Sequence, residues 1–190
     1  AHAWVATKLG DDTPRLQGRL NLNPMSHIDP IGLICLTLLG FGWGKPVQIN
    51  PRNFDGKYSL SKAEAMVAAA GPIMNFIIAF IFLIIYGIFV LTIKTYTATT
   101  DIIISILISI ISVNIGLGVF NLIPIYPLDG SKVLSHFLPY RAREWMMNNQ
   151  LILTIIVFFI VFYTDIMGYI SLHIMNGMIW VVNWIIGLFV

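Results

Sequence analysis

Charge is what this chain has least of. Only 11% of its 190 residues are Asp, Glu, Lys or Arg, while 57% are hydrophobic. That balance belongs to membrane proteins rather than to soluble domains. Cysteine is nearly absent too: Cys35 stands alone, which excludes an internal disulfide and a cysteine-rich zinc centre. No internal repeat or low-complexity segment is present. The net charge of +2 is too small for a nucleic-acid partner to be expected. What is abundant is apolar sequence, enough for one multi-span domain in contact with the lipid bilayer.

The apolar runs set an expectation of an all-α polytopic membrane protein with about four transmembrane or re-entrant helices. A hydrocarbon core about 30 Å thick needs roughly 20 helical residues. Residues 66–93 and 102–120 meet that length and are expected spans. Residues 28–43 are apolar but short, and Gly32, Gly40 and Gly42 interrupt them, so a re-entrant or membrane-dipping element is expected. Residues 151–163 are also short, leaving the number of spans after residue 150 open. Residues 174–190 are a last candidate, with Trp180 and Trp184 one turn apart as an interfacial anchor.

The basic residues then orient the chain. Two crossings, 66–93 and 102–120, return it to the side from which it started. Ten of the eleven Lys and Arg therefore share one face, and only Lys94 lies in the opposite loop. The positive-inside rule makes the ten-residue face cytoplasmic. The expectation is a multi-pass protein of the cell membrane.

Shorter patterns fill in the rest. Residues 1–9 read as the end of a helix, stopped by Gly10-Asp11-Asp12-Thr13-Pro14. Leu20 and Leu22 alternate with polar residues, as do Val47 and Ile49, which predicts two short strands forming a small membrane-associated β-hairpin or sheet. Ser61 and Glu64 have capping-box spacing at the start of the 66–93 span. Within that span, Gly71-Pro72-Ile73-Met74-Asn75 combines a helix-breaking proline with an amide that needs a partner. On 102–120, Ser105, Ser109, Ser112 and Gly116 form one small-residue stripe, expected to pack. Asn114, Gly118 and Asn121 share the opposite face.

The chemistry is concentrated in Asn121-Leu122-Ile123-Pro124-Ile125-Tyr126-Pro127-Leu128-Asp129-Gly130. A carboxylate at the end of a membrane span marks a functional site, because burying it alone there is costly. The prolines free backbone groups that hydrocarbon tolerates only beside protein or a wet cavity. A polar occupant is expected there, a cation above all. Of the histidines, His27 lies in a compact loop, 24–30, and His136 and His173 fit interfacial positions.

This motif resembles that of the site-2 protease family of intramembrane zinc metalloproteases, as does Gly71–Asn75. In that family a His-Glu-x-x-His helix and a later Pro-x-Asp-Gly motif bind Zn2+ together. The chain opens Ala1-His2-Ala3-Trp4 without a methionine, so the resemblance implies an N-terminally truncated chain that begins inside the first motif. His2 would then be its second histidine, and the glutamate general base would precede Ala1. The resemblance further implies zinc ligation by His2 and Asp129, with Asn121 steadying an oxyanion or orienting the substrate. Asn75 would pack beside the site and contact substrate. An extended substrate could pair with the predicted strand around Ile49. Residues 1–190 would form a single membrane-embedded peptidase domain, inactive as supplied because the base is absent.

Two other functions fit the same residues. Asp129 could titrate in a transporter or proton relay, or the protein could be a catalytically silent homologue. The three residues before Ala1 discriminate: His-Glu-x supports the enzyme, and loss of the glutamate supports the silent form.

Overall fold

A computed structural model describes residues 1–39 and 42–187. The chain divides into two compact units, Ala1–Ala70 and Gly71–Val190. Gly40, within the apolar stretch 28–43, and residues 188–190, at the end of 174–190, lie outside the described residues.

The first unit begins with helix α1, His2–Lys8, followed by a short α2, Thr13–Leu16, and by α3, Pro30–Leu39. The N-terminal turns of a long helix, α4 (Leu60–Thr92), complete it. Its core is the seam between α1 and α4, where Ala6 and Leu9 meet Ala63 and Val67, with Ile49, Phe54 and Tyr58 packed around them. Alanines at these contacts let the two helix backbones approach closely. Gly10 ends α1 at φ +99°, a left-handed conformation that favours glycine.

Two long loops are fastened to this seam by side chains. Asp11 is fully buried and accepts from the Thr13 hydroxyl and amide, the Asn50 amide at 2.7 Å and the Asn53 side-chain amide at 3.0 Å. Burial alone would raise its pKa, but these hydrogen bonds outweigh it and hold the carboxyl below its ordinary value. Arg19, only 4% exposed, donates to the carbonyls of Ser26, Lys45 and Pro46. At the base of the 28–44 excursion, Ile28 and Gly44 form an isolated antiparallel bridge, and the Lys45 amide donates to His27.

These bonds explain why the expected β-hairpin is absent. Among the described residues there is no strand; segments 20–22 and 47–49 are irregular. Arg19 occupies the Lys45 and Pro46 carbonyls that a ladder would use. Asn21 accepts from the Asn23 amide, the kind of local turn that competes with pairing. The alternation of Val47 and Ile49 reflects the packing of Ile49 on the α1–α4 seam instead.

The regular elements of the second unit's described residues are all helices. The remainder of α4 is joined by α5 (Ala98–Asn121), α6 (Asp129–Phe137), α7 (Tyr140–Asn148), α8 (Gln150–Tyr163) and α9 (Ile166–Ile186). Among the described residues α4, α5 and α9 are long and apolar enough to cross a membrane. The pair α7 and α8, bent by 76°, forms a fourth if taken together. Pro72 lies inside α4 and is buried. The core joins Ala79 and Leu83 of α4, Ile111, Ile115 and Val119 of α5, and Val182 of α9.

Two local expectations change. Helix α4 starts at Leu60, and the Ala63 amide bonds to the Ser59 carbonyl, so Ser61 lies inside the first turn and is no N-cap. A capping box does occur, between Thr97 and Thr100 at the start of α5. The serine stripe of α5 is exposed: Ser105 and Ser109 donate back to Asp101 and Ser105 on their own helix. The packed face is Leu107–Ile111–Ile115–Gly118. Bulky aliphatics, with glycine where an aromatic comes close, made the better contact.

Candidate metal and peptide site

The candidate residues fall in both units, His2 and Ile49 in the first and Asn75, Asn121 and Asp129 in the second. Each is described in its own unit.

His2 opens α1 on the side that faces α4. Its Nδ1 lies 2.7 Å from the Val67 carbonyl oxygen. A carbonyl can only accept, so Nδ1 carries the proton. In the neutral form of such a ring the lone pair lies on Nε2. Metal-binding histidines are held this way, with one nitrogen donating to a carbonyl or carboxylate and the other ligating. Ala3 and Ala6 are buried on the same helix, so packing fixes the ring's base.

Asp129 is the first residue of α6, where the unpaired amides of a helix N-terminus favour a carboxylate. The turn leading to it is tightly wound. The Ile125 amide donates to Ile123, Leu128 to Ile125 and Ser131 to Leu128. The Tyr126–Pro127 bond is cis. Thr154 of α8 donates to the Tyr126 carbonyl at 2.9 Å, and Ile125 is buried beneath the turn. Gly130 follows. A Cβ there would collide with the Leu122 carbonyl group and the Ile123 oxygen, so glycine is what lets the start of α6 lie on the end of α5. Hydrophobic packing and a missing side chain thus hold the carboxylate on a rigid turn.

Asn121 is the last residue of α5, and its amide donates to the Leu117 carbonyl at 2.9 Å. Asn75 is half-buried on α4. Its neighbour Phe76 meets Gly118 of α5, where an added Cβ would lie 2.8 Å from the ring. Phe76, the neighbour of Asn75, therefore packs on the last turns of α5. Ile49 directs its side chain into the first unit's core. Among the described residues no three of His, Cys, Asp and Glu come together as a metal cluster.

The remaining histidines have structural partners. His27 Nε2 lies 2.9 Å from the Asn21 carbonyl oxygen, His136 stacks edge-on with Phe137, and His173 Nδ1 lies 2.8 Å from the Tyr169 carbonyl oxygen. Sequence reasoning passed over Asp11 and Arg19, the two buried charges that fasten the loops around α1. Asp11-Asp12-Thr13 reads as an ordinary turn, and the bonds that fasten the loops reach 26 to 42 residues along the chain, from Arg19 to Lys45 and Pro46 and from Asn50 and Asn53 to Asp11.

A sequence model of peptidase family M50 matches residues 7–164. The chain belongs to that family, the site-2 protease family. The match includes Asn75, Asn121 and Asp129. A Bacillus subtilis (strain 168) protein named "Putative zinc metalloprotease YwhC" is 39% identical over 183 residues, covering 93% of this chain and 80% of that protein. "Zinc metalloprotease MJ0392" of Methanocaldococcus jannaschii is 34% identical over 77 residues, 40% of this chain and 20% of that protein. No solved structure gives a significant match.

Proposed function

We propose that the intact protein is an intramembrane zinc endopeptidase that cleaves transmembrane or membrane-bound peptides near the cytoplasmic face. Residues 1–190 form a single membrane-embedded peptidase domain in this reading. The observation that carries it is the His2–Val67 hydrogen bond, since it leaves the imidazole in the tautomer a metal needs. Membership of a metallopeptidase family and three helices long enough to cross a bilayer support it.

His2 and Asp129 are the proposed zinc ligands. One is held by α4 and the other by the turn that Gly130 permits, each within its own unit. When bound, zinc would polarise the scissile carbonyl and acidify a water. Peptidases of this kind keep three protein ligands and an open position, so His2 and Asp129 need one further ligand and a general base to complete the site. Asn121 would exchange its bond to Leu117 for the developing oxyanion, a contact typically worth a few kcal/mol of barrier. Asn75 would orient the substrate. Ile49, whose side chain is committed to the core, would offer substrate only its main chain. Ten of eleven basic residues on one side of the α4–α5 pair support a cytoplasmic site.

The test uses the intact protein in detergent or proteoliposomes, with zinc content and cleavage of a transmembrane peptide measured together. Asp129→Asn is expected to abolish cleavage and lower bound zinc. An active, zinc-replete Asp129→Asn protein would remove this residue from the ligand set. Inactivity with zinc retained would favour a proton-relay role for the carboxylate.

A further inference from the structure

Helix α1 has a second face that the proposed chemistry does not use. His2, Ala3, Ala6 and Leu9 turn toward the seam with α4, whereas Trp4 and Lys8, one turn apart, are exposed on the other side. With Thr7, Arg15 and Leu20 they line an open concavity of about 370 Å³. The Lys8 ammonium sits 5.8 Å from the Trp4 ring centroid, a cation–π distance. Arg15 is paired at 3.2 Å with Asp12, both more than half exposed, so solvent screens that pair and its strength is small. The concavity therefore has two cations, a hydroxyl and an aromatic wall, and none of its lining residues is acidic.

What surrounds it is equally informative. Leu16 is 86% exposed, Leu22 99% and Met25 75%, so large exposed apolar side chains share with the basic notch the same short stretch of sequence. Water disfavours that arrangement, but the boundary between lipid headgroups and acyl chains suits it. Tryptophan and basic residues concentrate there, and each Lys or Arg near an anionic leaflet adds electrostatic attraction.

We infer that the notch formed by Trp4, Thr7, Lys8, Arg15 and Leu20 binds the phosphate of an anionic membrane lipid, whose acyl chains lie along Leu16, Leu22 and Met25. Lys8 and Arg15 neutralise the phosphodiester and Trp4 covers the glycerol region, while the Thr7 hydroxyl donates to the Ala3 carbonyl of its own helix at 2.9 Å. The inference depends on the chain's being a membrane protein and not on its proteolytic activity.

The test uses the intact protein in a neutral detergent, titrated with dioctanoyl phosphatidylglycerol, dioctanoyl phosphatidylcholine or inorganic phosphate. Lipid adducts are followed by native mass spectrometry and the unfolding temperature is recorded alongside. Phosphatidylglycerol is expected to bind at least about tenfold tighter than phosphatidylcholine. Two neutralised cations should weaken it by roughly 30-fold in Lys8→Gln/Arg15→Gln. Arg52→Gln/Lys57→Gln, which removes the same charge from the same unit outside the notch, should stay within about threefold of the unaltered protein. If the first pair fails to fold, Lys8→Gln and Arg15→Gln singly carry the same comparison. Equal loss in both pairs, no preference for phosphatidylglycerol, or full reproduction of the effect by inorganic phosphate would each overturn the assignment.

Discussion

Gly130 shows how much a single position can decide. The side chain it lacks is what allows α6 to begin against the backbone of Leu122 and Ile123, and Asp129 is carried on that contact. Gly130→Ala must push the two segments apart. A loss of about 1–3 kcal/mol is expected, read as a fall in unfolding temperature. Cleavage by the intact protein should fall further than stability does, because the proposed ligand moves with the turn. Asp11 governs the first unit in the same local way. Its folded pKa lies below the ordinary aspartate value because hydrogen bonds from Thr13, Asn50 and Asn53 outweigh burial. The stability it contributes is therefore complete above the unfolded pKa and is lost as pH falls through the lower folded value. Protection factors for hydrogen exchange at residues 10–16 and 48–55, corrected for the intrinsic exchange rate at each pH, should fall as pH drops below the ordinary aspartate range of about 4. Asp11→Asn should flatten that dependence.

At the scale of the element, α5 separates what periodicity reveals from what it conceals. Its length and its polar C-terminal residue were legible, since a run of apolar residues ending in Asn121 and Pro124 needs no partner to be recognised. Its packing face was not. Serines and aliphatics both recur at helical spacing, and only the neighbouring helices decide which row is used. The aliphatic row meets Val182 of α9 and Ala79 of α4, leaving Ser105 and Ser109 outward. Ser109→Leu should therefore change the unfolding temperature little, within about 0.5 kcal/mol. Gly118→Leu, which collides with Phe76, should destabilise by several-fold more. The reverse ranking would restore the serine stripe as the packing face. The strands predicted at 20–22 and 47–49 failed for a related reason. Alternation records which side chains are buried, and in Ile49 it recorded contact with a helix seam rather than a sheet.

For the molecule as a whole, hydropathy and charge asymmetry carried most of what was legible: three long apolar helices and the distribution of basic residues around them. The candidate site was legible as a motif, because Asp129-Gly130 combines a carboxylate with a residue chosen for close approach. The anchoring of the loops by Asp11 and Arg19 was illegible, since each reaches partners far along the chain. The orientation is directly testable. With Cys35 replaced by Ser, cysteines introduced at Gly56 and Thr95 should label from opposite sides of sealed vesicles. Gly56 should react from the cytoplasmic side and Thr95, beside Lys94, from the other. Labelling of both from one side would dismantle the topology.

The excursion between His27 and Lys45 returns to its own starting point, where a single bridge and the Arg19 guanidinium clasp it shut. A segment whose two ends already touch can change length at its tip at little entropic penalty to the body that bears it. The tip of the excursion can therefore be lengthened or shortened as a replaceable attachment, while the clasp and the α1–α4 seam stay the same.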